Sequence, residues 1–263
     1  MKEFDELVRV MERLRAPDGC PWDREQTHAS IRKYVIEEAY EVAEAIDRGD
    51  DGELCTELGD LLLQVVFHAQ MARESGRFAV ADVCRAVTEK LERRHPHVFG
   101  GADVRDADHV SRNWEAIKAA ERGPDASAID GVPRALPALQ RAERISEKAS
   151  RVGFDWPGVA GVLEKLDEER RELAEAMAEG TPERVGEEIG DLLLTVANLA
   201  RKLDQEPERA LGRAVDRFER RFRAVESVAR AAGEDLSSLP PAELDERWEA
   251  AKRALADREE PPD

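Results

Sequence analysis

Apolar side chains recur every three to four residues along most of the chain, the spacing that lines one face of an α-helix. Phe4, Leu7, Val8, Met11 and Leu14 form a first stripe. Ile31, Val35, Ala39, Val42 and Ile46 form a second, and Leu54, Leu58, Leu61, Leu62, Val65 and Ala69 a third. No alternating run of β-branched or aromatic residues lasts more than a few positions, so strands are not expected. The pattern predicts an all-α protein made of helical bundles. Gly and Pro interrupt it at 17–21, 47–52 and 95–101, and most heavily at 123–137. This last stretch reads as a linker between a helical domain at 1–122 and another at 138–256; the charged segment 257–263 reads as a fraying tail.

The two domains are copies of one unit. Glu37-Glu38-Ala39-Tyr40-Glu41 matches Glu168-Glu169-Arg170-Arg171-Glu172, and Glu57-Leu58-Gly59-Asp60 matches Glu188-Ile189-Gly190-Asp191, both at an offset of 131 residues. A constant offset means that the turn between the two segments is equally long in each copy. At shifted offsets, Lys90-Leu91-Glu92-Arg93-Arg94 pairs with Arg217-Phe218-Glu219-Arg220-Arg221, and Trp114-Glu115-Ala116-Ile117-Lys118 pairs with Trp248-Glu249-Ala250-Ala251-Lys252.

Composition narrows the function. The 263 residues, 41% hydrophobic and 37% charged, supply a core, and an aromatic share of 5% with abundant Glu, Arg, Ala and Leu favours helices. With 40 Lys and Arg against 58 Asp and Glu, the net charge of −18 repels phosphate backbones, so nucleic-acid binding is not expected. No run approaches the ~18 apolar residues of a membrane span, and the start MKEFDELVRV lacks a secretory pattern, so a cytoplasmic location without membrane contact is expected. Cys20, Cys55 and Cys84 are widely spaced and read as reduced packing residues. His95 and His97 flank Pro96 and read as part of a turn, since nothing else stands at zinc-binding spacing.

The candidate chemistry lies in the carboxylates. On a helix Glu37, Glu38 and Glu41 fall within an arc of about 100°, and Glu57 and Asp60 share a face of the next helix. Glu38 projects into the stripe of Ile31, Val35, Val42 and Ile46, and Glu169 into that of Val162, Leu166, Leu173 and Met177. A carboxylate in such a stripe costs several kcal/mol unless something pairs with it. The partner is either Arg and Lys from nearby helices or a cation. Two helices joined by a short turn run antiparallel, bringing Glu38 and Glu41 opposite Glu57 and Asp60. Four hard oxygen donors suit Mg²⁺, or Mn²⁺, better than zinc, and Mg²⁺ commonly takes phosphate oxygens as further ligands.

EExxE followed by ExxD, present twice, resembles the MazG nucleoside triphosphate pyrophosphohydrolases of the all-α NTP pyrophosphatase superfamily. Cys20-Pro21-Trp22-Asp23, Gly59-Asp60-Leu61-Leu62, the stretch from Glu92 to Phe99, Val152-Gly153-Phe154-Asp155-Trp156 and Phe218-Glu219-Arg220-Arg221-Phe222 extend the likeness to the two-domain bacterial form over most of residues 1–253. The resemblance implies Mg²⁺-dependent hydrolysis of ribo- and deoxyribonucleoside triphosphates to monophosphate and pyrophosphate, usually by a homodimer. It also implies Glu38, Glu41, Glu57 and Asp60, with Glu169, Glu172, Glu188 and Asp191, as metal ligands, and Glu37 and Glu168 as the residues that orient or deprotonate the attacking water.

Divalent cations would neutralise phosphate charge and activate water. Lys90, Arg94 and Lys118, with their counterparts Arg217, Arg221 and Lys252, are the cations placed to hold phosphates, and Trp114 and Trp248 are candidates to stack on a base. The bland readings are a core role for each Trp and acidic neighbours for each Arg. Leu61–Leu63 and Leu192–Leu194 are assigned to packing. Both halves retain every carboxylate, and two-domain relatives favour the C-terminal one for catalysis. A narrower pyrophosphatase acting on dUTP or a phosphoribosyl nucleotide, and a non-catalytic helical scaffold, are the competing functions.

Overall fold

The computed structural model describes residues 2–123 and 125–256, and among them all regular structure is helical. The first compact unit ends at Glu121 and the second begins at Arg122. In the first unit, α1 (Lys2–Leu14) is followed by the short α2 (Pro21–Glu25), then α3 (Arg32–Arg48), α4 (Asp51–Glu74), α5 (Val80–Arg94), the one-turn α6 (Pro96–Phe99) and α7 (Ala107–Arg122). The second unit holds α8 (Ala138–Ser150), α9 (Val159–Glu179), α10 (Pro182–Lys202), α11 (Pro207–Ala232), a 3₁₀ turn at Leu236–Ser238 and α12 (Pro241–Ala256). The expected tail at 257–263 lies outside the described residues. Within 123–137, the carbonyl of Asp130 accepts a 2.9 Å hydrogen bond from the buried Lys148 ammonium, which ties this stretch to α8.

The repeated element is a helical hairpin, α3–α4 and again α9–α10. Its turn is written in equivalent residues. Gly49 ends α3 at φ +69°, a left-handed conformation that glycine adopts without a Cβ penalty, and its amide donates to the carbonyls of Ala45 and Ile46. Asp50 then caps α4, its carboxylate accepting from the amides of Gly52 and Glu53. At the matching position Thr181 caps α10 by accepting from the amide of Arg184, with Pro182 at the first helical position.

The core of the first unit lies away from this turn. Met11 on α1 and Ile31 before α3 are buried with Val66, Phe67 and Met71 of α4, and Phe4, Leu7, Val8, Leu14, Tyr34, Leu63 and Val80 pack around them. Apolar contact therefore reaches Tyr34 on α3 and Leu63 on α4. Glu38 and Asp60 stand about one turn beyond each, so the acidic residues begin where this packed cluster ends. Toward the turn the stripes lose cover: Ile46 in the last turn of α3 and Met177 near the end of α9 are exposed rather than packed. Leu62, Leu193 and Leu194, assigned from the sequence to packing, are exposed too. Cys55 and Cys84 also lie exposed, and Cys20 is half-buried; all three are free thiols.

Outside the hairpins, ion pairs fix helix ends. Arg15, 8% exposed at its side chain, donates to both oxygens of Glu74 at 2.7–3.0 Å and to the carbonyl of Asp23, joining the end of α1 to α2 and the end of α4. In the second unit Asp155 does equivalent work by holding Arg201 and Lys202 at the end of α10.

Candidate metal centre

In the first unit the hairpin brings Glu38, Glu41 and Glu57 together, with one carboxylate oxygen of each within 4.8 Å of the others. Among the described residues none of these three, nor Glu37 or Asp60, forms an ion pair with Lys or Arg. Glu38 is half-buried, and the Gln64 amide approaches it at 3.5 Å, the limit of a hydrogen bond. Burial pushes the Glu38 carboxyl above its ordinary pKa, helped by the charge of Asp60 and by the hydrogen bond and charge of Glu41. Glu57 is raised by desolvation and then by Glu41, Asp60 and Glu53, against the weaker pull of Arg48. Asp60 is outside the triad yet within its field.

The second unit repeats the triad with Glu169, Glu172 and Glu188, again within 4.8 Å of one another. Its surroundings differ. Lys165 donates to Glu168 and to Glu169, both at 2.8 Å, and holds the Glu168 carboxyl below its usual range. Glu169 is 4% exposed, and its second oxygen, Oε2, is buried without any hydrogen-bond partner. Arg184 lies 3.9 Å from Glu188, whose carboxyl is raised by desolvation and by Glu172, with Arg184 opposing and Glu169 and Asp191 adding to the rise.

A magnesium ion fits these residues. Mg²⁺ binds hard oxygens at about 2.0–2.1 Å in octahedral geometry, so opposite donors stand roughly 4.2 Å apart and a set spanning 4.8 Å closes on the ion with a small side-chain adjustment. The orphaned Glu169 oxygen is the clearest mark of a missing partner, since a buried carboxylate oxygen left unpaired is costly. In the first unit the buried Gln64 also has an unpartnered Oε1, on the amide whose nitrogen approaches Glu38.

The cations expected to hold phosphates are differently disposed. Arg94 donates to Glu121 at 2.5 Å and lies 5.4 Å over the ring of Trp114, whose edge meets His95 at 4.9 Å. Trp114 thus already has Arg94 and His95 against its ring. His95 and His97 open the short α6 with their rings 5.6 Å apart, and His95 Nδ1 is engaged by the carbonyl of Leu91. Lys90 and Arg217 are exposed and form no ion pair among the described residues. Lys118 is half-buried on α7. Lys252 donates to Glu249 at 2.8 Å, and the charge of Arg221 also reaches that carboxylate. Trp248 packs against Phe218 at 5.1 Å and lines a cavity of about 430 Å³ with Phe222, Leu236, Leu244 and Asp245. Sequence reading passed over Lys165, Arg184 and Gln64. The first two stand at i−3, i−4 relative to cluster glutamates, a spacing that could have revealed them.

Two helical hairpins in tandem, each closing on three carboxylates, define an all-α protein with a duplicated acidic site. The family described as MazG nucleotide pyrophosphohydrolase domain matches twice, at residues 26–99 and 159–225, the first match spanning a hairpin with all of α5 and α6 and the second a hairpin with most of α11. A Thermotoga maritima protein named nucleoside triphosphate pyrophosphohydrolase/pyrophosphatase MazG is 50% identical over 250 residues, covering 95% of both chains. An Escherichia coli protein named nucleoside triphosphate pyrophosphohydrolase is 47% identical over 264 residues, 98% of this chain and 100% of that one. The chain belongs to the MazG family.

Proposed function

We propose that the protein hydrolyses nucleoside triphosphates, ribo- and deoxyribo-, to monophosphate and pyrophosphate with Mg²⁺, and that Mn²⁺ substitutes. The observation that carries this reading is the buried, unpartnered Glu169 oxygen inside a triad of carboxylates. Family membership and the names of the two relatives support the substrate class. Glu169, Glu172 and Glu188 would hold the ion in the second unit and Glu38, Glu41 and Glu57 in the first, with Asp191 and Asp60, which lie outside the triads, completing each set. When bound, the ion offsets phosphate charge and makes water a better nucleophile at neutral pH. Without a cation, the clusters would repel a triphosphate.

Glu168 stands beside the second triad. Hydrogen-bonded to Lys165 at 2.8 Å, Glu168 is placed to orient or deprotonate the attacking water. Glu37 has the corresponding place in the first unit. Arg217, Arg221 and Lys252 face the phosphates in the second unit, as Lys90, Arg94 and Lys118 do in the first. Trp248 opens onto a cavity whereas Trp114 is covered by Arg94 and His95, which favours the second unit for base stacking and turnover. The exposed Ile36, Tyr40, Leu58, Leu62 and Val65 favour a homodimer that covers them. No described helix is long and apolar enough to cross a membrane, and we read the protein as cytoplasmic and without nucleic-acid partners.

The test is incubation with ATP, dUTP and dGTP in Mg²⁺ or in EDTA. Pyrophosphate and monophosphate are expected from each nucleotide only with metal. Release of orthophosphate and diphosphate would overturn the proposed bond cleavage. Glu172→Gln is expected to abolish most turnover, whereas retained activity that disappears with Glu41→Gln would reassign the working half.

A further inference from the structure

The two carboxylate triads share their geometry but not the charges around them. The repeat places Tyr34 where the second unit has Lys165, Glu53 where it has Arg184, and Tyr40 where it has Arg171. The structure shows each difference acting. Lys165 touches Glu168 and Glu169 at 2.8 Å, Arg184 approaches Glu188, and the charge of Arg171 reaches Glu168. In the first unit Tyr34 turns into the core instead, and Lys33, the nearest cation in sequence, lies over its ring at 4.7 Å. Glu53 adds a like charge beside Glu57, and Arg48 is engaged by Glu44 and Glu53 rather than by the triad.

We propose that Lys165 is a resident counter-cation of the second cluster, so that in the nucleotide-free protein the first cluster takes a divalent cation more tightly than the second. This rests on the magnesium reading given above. An ion entering the first triad meets three carboxylates with no positive neighbour in contact. An ion entering the second must share Glu169 with an ammonium already hydrogen-bonded to it, or displace that ammonium into solvent. Unit charges about 4–5 Å apart interact strongly enough, even with the screening of a protein surface, to separate the two affinities by at least about tenfold. Lys165 is thereby a positioning residue: in the metal-free state it holds Glu168 and Glu169 in place.

The experiment is a titration of the nucleotide-free, full-length protein with Mn²⁺, free ion being read by electron paramagnetic resonance. Two classes of site are expected, at least about tenfold apart. Glu41→Gln should remove the tight class and Glu172→Gln the weak one. Lys165→Met should tighten the weak class by about tenfold and leave the tight class where it was, and Tyr34→Lys should weaken the tight class. Lys165 is about one-third exposed and Tyr34→Lys changes a core-facing residue, so circular dichroism of both variants checks that each remains folded. The inference is overturned if Glu172→Gln removes the tight class, or if folded Lys165→Met moves neither. Absence of Mn²⁺ binding in every form would instead overturn the metal reading itself.

Discussion

Asp155→Asn separates a structural motif from a functional one. The stretch Val152-Gly153-Phe154-Asp155-Trp156 contributes to the family likeness, yet in the structure Asp155 faces the end of α10 rather than the carboxylate triad. Its Oδ1 accepts from Arg201 at 2.6 Å and from the Trp156 amide at 2.9 Å, and its Oδ2 from Lys202 at 2.7 Å. Lys202 also donates to the Trp156 carbonyl at 2.6 Å, and Arg201 to Asn198 at 3.1 Å. Side-chain exposures of 20% for Asp155, 15% for Arg201 and 17% for Lys202 place the cluster between a surface pair and a buried one. Breaking a buried pair costs about 3–5 kcal/mol and an exposed one at most ~1, so removing this charge, which leaves two cations facing an amide, should cost ~2–3 kcal/mol. For a unit of this size that lowers the melting temperature by roughly 6–10 °C. Differential scanning calorimetry should show the loss in the transition of the second unit while leaving that of the first in place. The pH dependence has a fixed sign. Burial raises the Asp155 carboxyl, but Arg201 and Lys202 together outweigh it and hold the pKa below the usual value. The stabilisation is therefore present above the unfolded-state pKa near 3.9 and fades as pH falls through the lower folded-state value. A melting temperature within about 1 °C of the parent at neutral pH, accompanied by lost turnover, would refute the clamp and return the motif to the active site.

Two further outcomes follow from titrating groups. Glu121, gripped by Arg94 and Arg93, has its carboxyl lowered to about 2, so its ¹³C carboxyl resonance should titrate near that pH; a midpoint above about 4 would dissolve the ion pair that joins α5 and α7. His68 stacks on His28 with their Nδ1 atoms 2.7 Å apart, and Arg77 lies 2.6 Å from His28 Nε2. Desolvation and then the charge of His28 lower the His68 pKa, so the neutral form is favoured in the fold and stability is lost as pH falls below the unfolded value near 6.5. Melting of the first unit between pH 7.5 and 5.5 should decline less in His68→Gln, and an equal decline in both proteins would assign the effect elsewhere.

Periodicity and repetition made the fold legible. The first apolar stripe corresponds to α1, the second to α3 and the third to α4, and the constant offset of 131 residues relates this hairpin to α9 and α10. Convergence of Glu38, Glu41 and Glu57 followed from a short turn between antiparallel helices, and Gly49 and Asp50 supply it. Contacts between residues distant in sequence were not legible. Arg94 reaches Glu121 across 27 positions and His28 reaches His68 across 40, with no local pattern to announce either. Exposure at Ile46, Leu62 and Met177 escaped the reading for another reason. A helical stripe shows which side of a helix is apolar, but not whether the same chain supplies the surface that covers it.

Duplication let one geometry sit in two electrostatic settings. In both hairpins a small polar residue caps the second helix at the same place, and the carboxylates keep the same spacing, so the backbone relation between the glutamates is fixed by the turn. What changes is the residue one turn before the acidic pair. A tyrosine there continues the hydrophobic core toward the site and leaves the first triad without a cation in contact. A lysine there pairs with Glu169 and, on the proposal above, would compete with an arriving ion. The lower the energy of the empty cluster, the less a cation gains by filling it. On the proposal above, one side chain in the second unit would set both the stability of the metal-free site and its affinity for metal, in opposite directions.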